Sequence, residues 1–96
     1  MAREVIWTDP AWEDLEAAAE YISRDSAAYA AAFVQEMKAA ATSLSEMAER
    51  GQIVPEIDDA SIRELLVRPY RLVYQLTDGQ VRILAIIHGA RRAWRF

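Results

Sequence analysis

The stretch YRLVYQLTDGQVRILAII (residues 70–87) contains two runs rich in β-branched and aromatic residues, separated by the dipeptide Asp78-Gly79. Within these runs apolar side chains recur at close to every second position, which is typical of β-strands. An Asp-Gly dipeptide between two strands predicts a hairpin with a two-residue loop, because the type I′ turn of such a loop needs a positive φ at both central positions. The predicted register has three defining pairs: Thr77 with Gln80, Tyr74 with Ile83, and Arg71 with Ile86.

This register divides the hairpin into two faces. The first is almost wholly apolar and is expected to pack against helices; it carries Tyr70, Leu72, Tyr74, Leu76, Val81, Ile83, Ala85 and Ile87. The second mixes cations with aliphatic side chains; it carries Arg71, Val73, Gln75, Arg82, Leu84, Ile86 and His88. His88 and Arg71 are predicted to be diagonal neighbours on the second face. Exposed aliphatic side chains are a liability on a monomer, so this mixed face is predicted to bind a protein partner.

The residues before the hairpin predict two helices. Pro10 disfavours helical geometry at Asp9 and favours it afterwards, so Asp9 is the predicted N-cap of the first helix. Asp25 or Ser26 can cap a second helix, which is predicted to end at Gly51. Apolar residues recur at helical spacing: Ala11, Leu15, Ala18 and Ile22, then Tyr29, Phe33, Met37, Ala40, Leu44 and Met47. The solvated face of the first helix is predicted to carry Glu13, Asp14, Glu16 and Glu20.

Together these elements predict one α+β domain over residues 1–96, with a helical hairpin on one face of a small antiparallel sheet. Residues 63–67 form the first of three C-terminal strands, and Arg68-Pro69 is predicted to close the hairpin to the next. The N-terminal strand, at residues 4–7, is expected to join the sheet beside the C-terminal strand and make four strands in all. Two helices can cover only one side of this sheet, so the mixed face is predicted to stay open.

Composition excludes several classes of protein. Within the 96 residues there is no run of about 18 apolar residues, which a membrane-spanning helix requires. The N-terminus lacks the layout of a signal peptide. The chain has no cysteine, which excludes a disulfide framework and a cysteine-based metal site. These features fit a cytoplasmic protein that does not span a membrane. We also expect no metal and no cofactor.

Charge is unevenly distributed along the chain. Residues 1–60 contain 13 acidic and 4 basic residues, a net charge of -9, whereas residues 61–96 contain 2 acidic and 7 basic residues, a net charge of +5. The chain ends in the basic, aromatic segment ARRAWRF (residues 90–96). Because the planar guanidinium of arginine suits carboxylate or phosphate recognition, Arg91, Arg92 and Trp94 are predicted to extend the partner-binding face.

Five segments of the chain resemble the RelE/ParE superfamily of bacterial type II toxins. They are WTDPAWEDLEAAAEYI (7–22), DSAAYAAAF (25–33), VPE (54–56), RELLVRPYRLVYQL (63–76) and VRILAIIHGAR (81–91). The pattern is most similar to the ParE branch. The resemblance implies a RelE/ParE toxin fold, a cognate ParD-like antitoxin that silences the toxin, and inhibition of DNA gyrase by protein–protein contact. The partner-binding residues would be Arg71, Val73, Arg82, Leu84, Ile86, His88, Arg91, Arg92 and Trp94.

The RelE branch implies a different activity, the cleavage of mRNA on the ribosome without metal. Cleavage through the 2′-hydroxyl needs a base, an acid and a cation for the phosphorane, and the resemblance offers Glu56, Arg71 and His88 for these roles. Two features depart from the nuclease pattern: the tail has no tyrosine, and Lys38 is the only lysine. Overall acidity is also poorly suited to RNA binding, where phosphate neutralisation dominates.

Other interpretations of these residues remain open. The chain could be a degenerate toxin that serves only to bind its antitoxin. His88 could be a structural residue at the end of a strand, and Arg71 could pair with Glu64 on the adjacent strand. Trp94 could cap the edge of the sheet.

Overall fold

The computed structural model describes residues 2–89. Within this range the chain forms two helices and a five-stranded sheet of order β1-β5-β4-β3-β2. The strands are β1 (Glu4–Trp7), β2 (Gln52–Ile53), β3 (Ile62–Val67), β4 (Tyr70–Leu76) and β5 (Gln80–His88). The helices are α1 (Asp9–Ser23) and α2 (Ala27–Ser43). The predicted α+β class and the helical hairpin are confirmed.

The sheet has mixed strand directions. β1 lies beside β5, as predicted, but parallel to it, whereas the whole sheet was predicted to be antiparallel. β3, β4 and β5 are antiparallel. The number of strands was predicted wrongly, because the two-residue strand β2 pairs with Arg63 and Glu64 of β3 and makes a fifth. Arg68 and Pro69 join β3 to β4, as predicted, with a cis peptide bond between them.

The N-cap of α1 is Thr8, one residue before the predicted Asp9. The Thr8 hydroxyl accepts a hydrogen bond from the Ala11 N–H at 3.3 Å and donates one to the Ile83 carbonyl at 2.7 Å. Thr8 therefore joins the start of the helix to β5. For α2, Asp25 and Ser26 were predicted as alternative caps, and the hydrogen bond from the Tyr29 N–H to the Ser26 hydroxyl shows that Ser26 is the cap.

Helix α2 ends at Ser43, well before the predicted Gly51. The Leu44 N–H donates to the Ala41 carbonyl in a tighter terminal turn, and Ser45 then exchanges hydrogen bonds with Arg3 at the edge of the sheet. These bonds divert the chain from the helix axis. The predicted apolar stripe is correct at its centre but wrong at both ends, because Tyr29 and Met47 are exposed.

The predicted hairpin register is correct from the loop to the pair of Tyr74 with Ile83. Beyond that pair it is wrong by one residue, because Val73 pairs with Ala85 and leaves Leu84 as the extra residue of a β-bulge. Arg71 therefore faces Ile87. The loop is also not a type I′ turn, since no described residue has a positive φ.

The bulge exchanges the faces of the last residues of β5, because a shift of one residue moves each side chain to the opposite side of a sheet. Ile86 belongs to the core under the helices, together with Phe33 and Leu72. Ala85 and Ile87 lie instead on the other side of the sheet. Both had been assigned to the helical face, and Ile86 to the open face.

The second face of the sheet was predicted to stay open. In the structure it is largely covered. Val54, in the loop between β2 and β3, belongs to a second cluster of buried residues that includes Val73, and Ile57 of the same loop packs against this cluster. The same cluster contains Ile62, Ala85 and Ile87. The acidic loop thus serves as the cover that the helices cannot provide.

Tyr74 links the sheet to the segment after α2. Its hydroxyl donates to the Ala48 carbonyl at 2.9 Å and accepts from the Gly51 N–H at 2.9 Å. Burial raises the pKa of the Tyr74 phenol above its ordinary value, because the phenolate would lose hydration, although the Gly51 hydrogen bond opposes this.

We expect the stability of the protein to fall as the pH rises above about 10, the ordinary pKa of tyrosine. In that range the unfolded chain releases the Tyr74 proton while the folded chain retains it, so the contribution present at lower pH is lost. The free energy of unfolding should be measured in urea between pH 8 and 11. Tyr74→Phe should lower stability at pH 8 and make the decline above pH 10 shallower; an unchanged slope would contradict this role.

Candidate functional site: a cleft beside β5

A cleft of about 600 Å³ lies between the start of α1 and the second half of β5. Its apolar floor is formed by Leu84, Ala85 and Ile87. The polar lining comes from Thr8, Glu13, Asp14 and Arg82, and Pro10 completes the wall. The cleft therefore combines apolar area with both signs of charge.

The bulge and the short β1 leave one edge of β5 exposed to this cleft. Pairing between β1 and β5 ends at Trp7 and Ile83, so among the described residues no strand lies beside residues 84–87 on that side. The Ile86 N–H points to this edge and donates to the Asp14 carboxylate at 3.0 Å. Asp14 was predicted to lie on the solvated face of α1. Instead it is half-buried and satisfies a backbone donor that pairing with β1 would otherwise satisfy.

The two arginines of the predicted mixed face differ in whether their side chains are exposed and free of an ion pair within the described residues. Arg82 is exposed beside the cleft and forms no ion pair among the described residues. Arg71 pairs with Glu64, with 2.9 Å between Nη1 and Oε2. The alternative interpretation of Arg71 is thus confirmed. The pair is largely buried, and within residues 2–89 neither the Glu64 Oε1 nor the Arg71 Nε has a hydrogen-bond partner.

The structure brings only some of the predicted partner-binding residues to one surface. Arg82 and Leu84 line the cleft. Val73 is fully buried under the acidic loop, and Ile86 is buried under the helices, so neither offers contact area. Arg71 is held by Glu64 and His88 lies on the helical side. The predictions for Arg91, Arg92 and Trp94 fall outside the described residues.

The candidate nuclease residues do not share one face. His88 pairs with Tyr70, and its ring lies edge-on to the Tyr70 ring with 5.2 Å between centroids. Arg71 is the neighbour of Tyr70 along β4 and so projects to the opposite side of the sheet. Their predicted relation as diagonal neighbours is wrong, because the bulge precedes His88. Glu56 is exposed in the loop between β2 and β3.

Sequence reasoning missed the contribution of α1 to the cleft. Thr8 and Asp14 bond β5 from 75 and 72 residues away, and Glu13 lines the same cleft; no local pattern marks these three residues. Among the described residues no group of three or more potential metal-binding side chains comes together. Within the same range no helix is long and apolar enough to cross a membrane.

A helical hairpin over a sheet whose first strand lies parallel to the last is the fold of the RelE/ParE superfamily of toxins. The family model described as ParE toxin of type II toxin-antitoxin system, parDE, matches residues 5–93. A relative named Toxin RelE2, from Caulobacter vibrioides, is 40% identical over 89 residues, which are 92% of this chain and 97% of the relative. The chain therefore belongs to the ParE toxin family of type II toxin–antitoxin systems.

A solved structure confirms the fold independently. It is described as the chromosomal ParDE TA system from P. aeruginosa and aligns with a TM-score of 0.74 and 24% identity. The alignment covers 91% of this chain and 96% of that chain. At this identity the likeness concerns architecture alone.

Proposed function

We propose that this protein is a ParE-like toxin that inhibits DNA gyrase by protein–protein contact and is neutralised in the cytoplasm by a cognate, ParD-like antitoxin. The observation that carries the proposal is the match of the ParE toxin family over residues 5–93. Membership of a toxin–antitoxin family also implies an antitoxin partner.

The cleft beside β5 supports a protein as the target. Protein interfaces combine desolvated apolar area with complementary charge. Leu84 supplies apolar area and Arg82 an exposed cation within the same cleft. Arg91, Arg92 and Trp94 are predicted from the sequence to bind the partner as well, but they lie outside the described residues.

Ribosome-dependent mRNA cleavage is the second candidate, and the name of the relative Toxin RelE2 favours it. Such cleavage requires a base, an acid and a cation around one phosphate. Arg71 and His88 lie on opposite faces of the sheet, and Glu64 already neutralises Arg71. This arrangement supports gyrase over the ribosome as the target.

We expect Arg82→Glu and Leu84→Asp each to weaken inhibition of gyrase supercoiling by about tenfold or more, since both changes place a carboxylate in the contact surface. The measurement is the toxin concentration that halves supercoiling by purified gyrase. Arg24→Glu is the matched control, because Arg24 is an exposed arginine at the far end of α1 whose ion pair with Glu20 spans 3.9 Å. If Arg82→Glu and Leu84→Asp inhibited gyrase as strongly as the wild-type protein and Arg24→Glu do, the cleft would be excluded as the contact surface.

The same proteins should be tested on ribosomes programmed with mRNA. Cleavage by the wild-type protein without inhibition of gyrase would overturn the proposal and favour the nuclease, whose activity His88→Ala should then slow greatly. Binding of the antitoxin without either activity would indicate a degenerate toxin that acts only as an antitoxin-binding module.

A further inference from the structure

The sequence of β5 permits two registers against β4. In a regular register, without a bulge, Arg71 would face Ile86; in the observed register Arg71 faces Ile87, and Leu84 is the extra residue. Because positions 86 and 87 are both isoleucine, either register places one isoleucine under the helices and the other on the opposite side of the sheet. Burial of these two side chains therefore hardly distinguishes the registers, and another interaction has to favour the bulge.

The backbone of β5 shows what differs between the two registers. Before the bulge, the Ile83 carbonyl points to the outer edge of the strand, where the Thr8 N–H and hydroxyl donate to it. After the bulge, the Ile86 N–H points to the same edge and donates to the Asp14 carboxylate at 3.0 Å. Without the bulge, the alternation of the strand would turn the Ile86 N–H toward β4. The bond to Asp14 therefore belongs to the bulged register alone.

The position of Asp14 is fixed relative to the part of β5 that precedes the bulge. Thr8 caps the start of α1 and bonds the Ile83 carbonyl at 2.7 Å, so the helix that carries Asp14 is joined to the strand. A bulge leaves one residue unpaired and disrupts the ladder of hydrogen bonds. A bond from a backbone N–H to a charged acceptor is stronger than a neutral one. The bond from Ile86 to Asp14 thus offsets the cost of the bulge.

We propose that Asp14 is a positioning residue that selects the bulged register of β5 and so builds the apolar floor of the cleft. Two of the three floor residues, Ala85 and Ile87, face the cleft in this register. In the regular register both would turn to the helices, and Ile86 would lie on the cleft side instead. The functional part of this inference rests on the proposed function, because it takes the cleft as the surface that contacts the target.

The register can be measured by nuclear Overhauser effects between the α protons of β4 and β5. In an antiparallel sheet these protons are closest in pairs that exchange no hydrogen bonds, where the Cα atoms are about 4.5 Å apart. The Gly89 N–H donates to the Pro69 carbonyl, so by alternation Leu72 and Ile86 form a pair of this kind in the bulged register. In the regular register the partner of Leu72 would be Ala85. The wild-type protein should therefore show the contact between Leu72 and Ile86.

Asp14→Ala should replace this contact, in part or in full, by one between Leu72 and Ala85. Alanine has the highest helix propensity, so α1 should be retained in the variant. Asp14→Asn should keep the contact between Leu72 and Ile86, because the amide oxygen can still accept from the Ile86 N–H. Glu16→Ala is the matched control, since it removes an exposed carboxylate from the same helix outside the cleft, and it should leave the register unchanged.

The consequence for function is measured as the toxin concentration that halves gyrase supercoiling. Asp14→Ala should raise this concentration by about fivefold, through loss of the preformed apolar floor. Asp14→Asn should rescue most of the loss, and Glu16→Ala should inhibit as the wild type does. A direct electrostatic contact of Asp14 with the target would instead be lost in both Asp14 variants.

The two measurements separate the failure of this inference from the failure of the proposed function. A wild-type register in Asp14→Ala would overturn the selection of the register by Asp14, whatever the target is. A shifted register in Asp14→Ala, in a protein whose wild type does not inhibit gyrase, would retain the selection and reject the target. Loss of inhibition in Asp14→Asn, with a wild-type register, would overturn the positioning role and indicate a direct contact by the carboxylate.

Discussion

Replacing Gly51 by alanine is expected to lower the free energy of unfolding by about 4 kcal/mol, through overpacking and the loss of buried hydrogen bonds. A Cβ at this position would lie 2.5 Å from the Tyr74 hydroxyl oxygen and 2.6 Å from the Glu64 carbonyl oxygen. The carbonyl belongs to the sheet backbone and cannot move aside cheaply. The Tyr74 ring is fully buried and has no space into which to withdraw.

The measurement is urea denaturation followed by circular dichroism. Gly79→Ala is the control and should change stability by less than about 0.5 kcal/mol, since surface substitutions away from special features rarely exceed that. A loss below about 1 kcal/mol in Gly51→Ala would mean that the segment after α2 can shift away from the sheet. Gly51 was expected to end a helix; its importance lies instead in the close approach of Tyr74.

Replacing Arg71 by alanine is expected to destabilise the protein by about 3 kcal/mol, because it leaves the buried Glu64 carboxylate without its cation. Glu64 is 9% exposed, and its Oε1 has no hydrogen-bond partner in the part of the chain that the structure describes. The double variant Glu64→Leu/Arg71→Met removes both charges and should recover most of the loss, since well-packed apolar residues often replace a buried ion pair at no cost.

The exposed pair of Arg24 and Glu20 provides the control. Its side chains are 69% and 77% exposed, so Arg24→Ala should cost less than about 0.5 kcal/mol. If Arg71→Ala proved equally mild, the Glu64 carboxylate would have to be solvated once Arg71 is removed. The double variant also separates stability from toxicity: inhibition of gyrase by a stable Glu64→Leu/Arg71→Met protein would exclude a direct role for the Arg71 charge.

Local patterns predicted most of the secondary structure. Apolar side chains at every second position of residues 70–76, together with the Asp78-Gly79 dipeptide, predicted the hairpin register correctly as far as the pair of Tyr74 with Ile83. Asp25 or Ser26 was predicted to cap α2, and Ser26 does so because its side chain bonds the next turn of its own helix. These predictions succeeded because the interactions that decide them join residues only a few positions apart.

The candidate site was predicted less completely than the fold. Arg82 and Leu84 were assigned to a partner surface and line the cleft. Val73, Ile86 and His88 were misplaced for two separate reasons. The acidic loop covers Val73, and the bulge at Leu84 turns Ile86 and His88 toward the helices. Neither the cover nor the bulge leaves a pattern in the local spacing of residues.

The amino-acid sequence alone determined the α+β class, the helical hairpin, the start of the β-hairpin register and the resemblance to a toxin superfamily. Only the tertiary structure decided which side chains of β5 face the cleft. Thr8 binds the Ile83 carbonyl and Asp14 binds the Ile86 N–H, so α1 holds both sides of the bulge from across the fold. Successive side chains of a strand point to alternate faces of the sheet. A shift of one residue therefore moves every side chain beyond it to the opposite face.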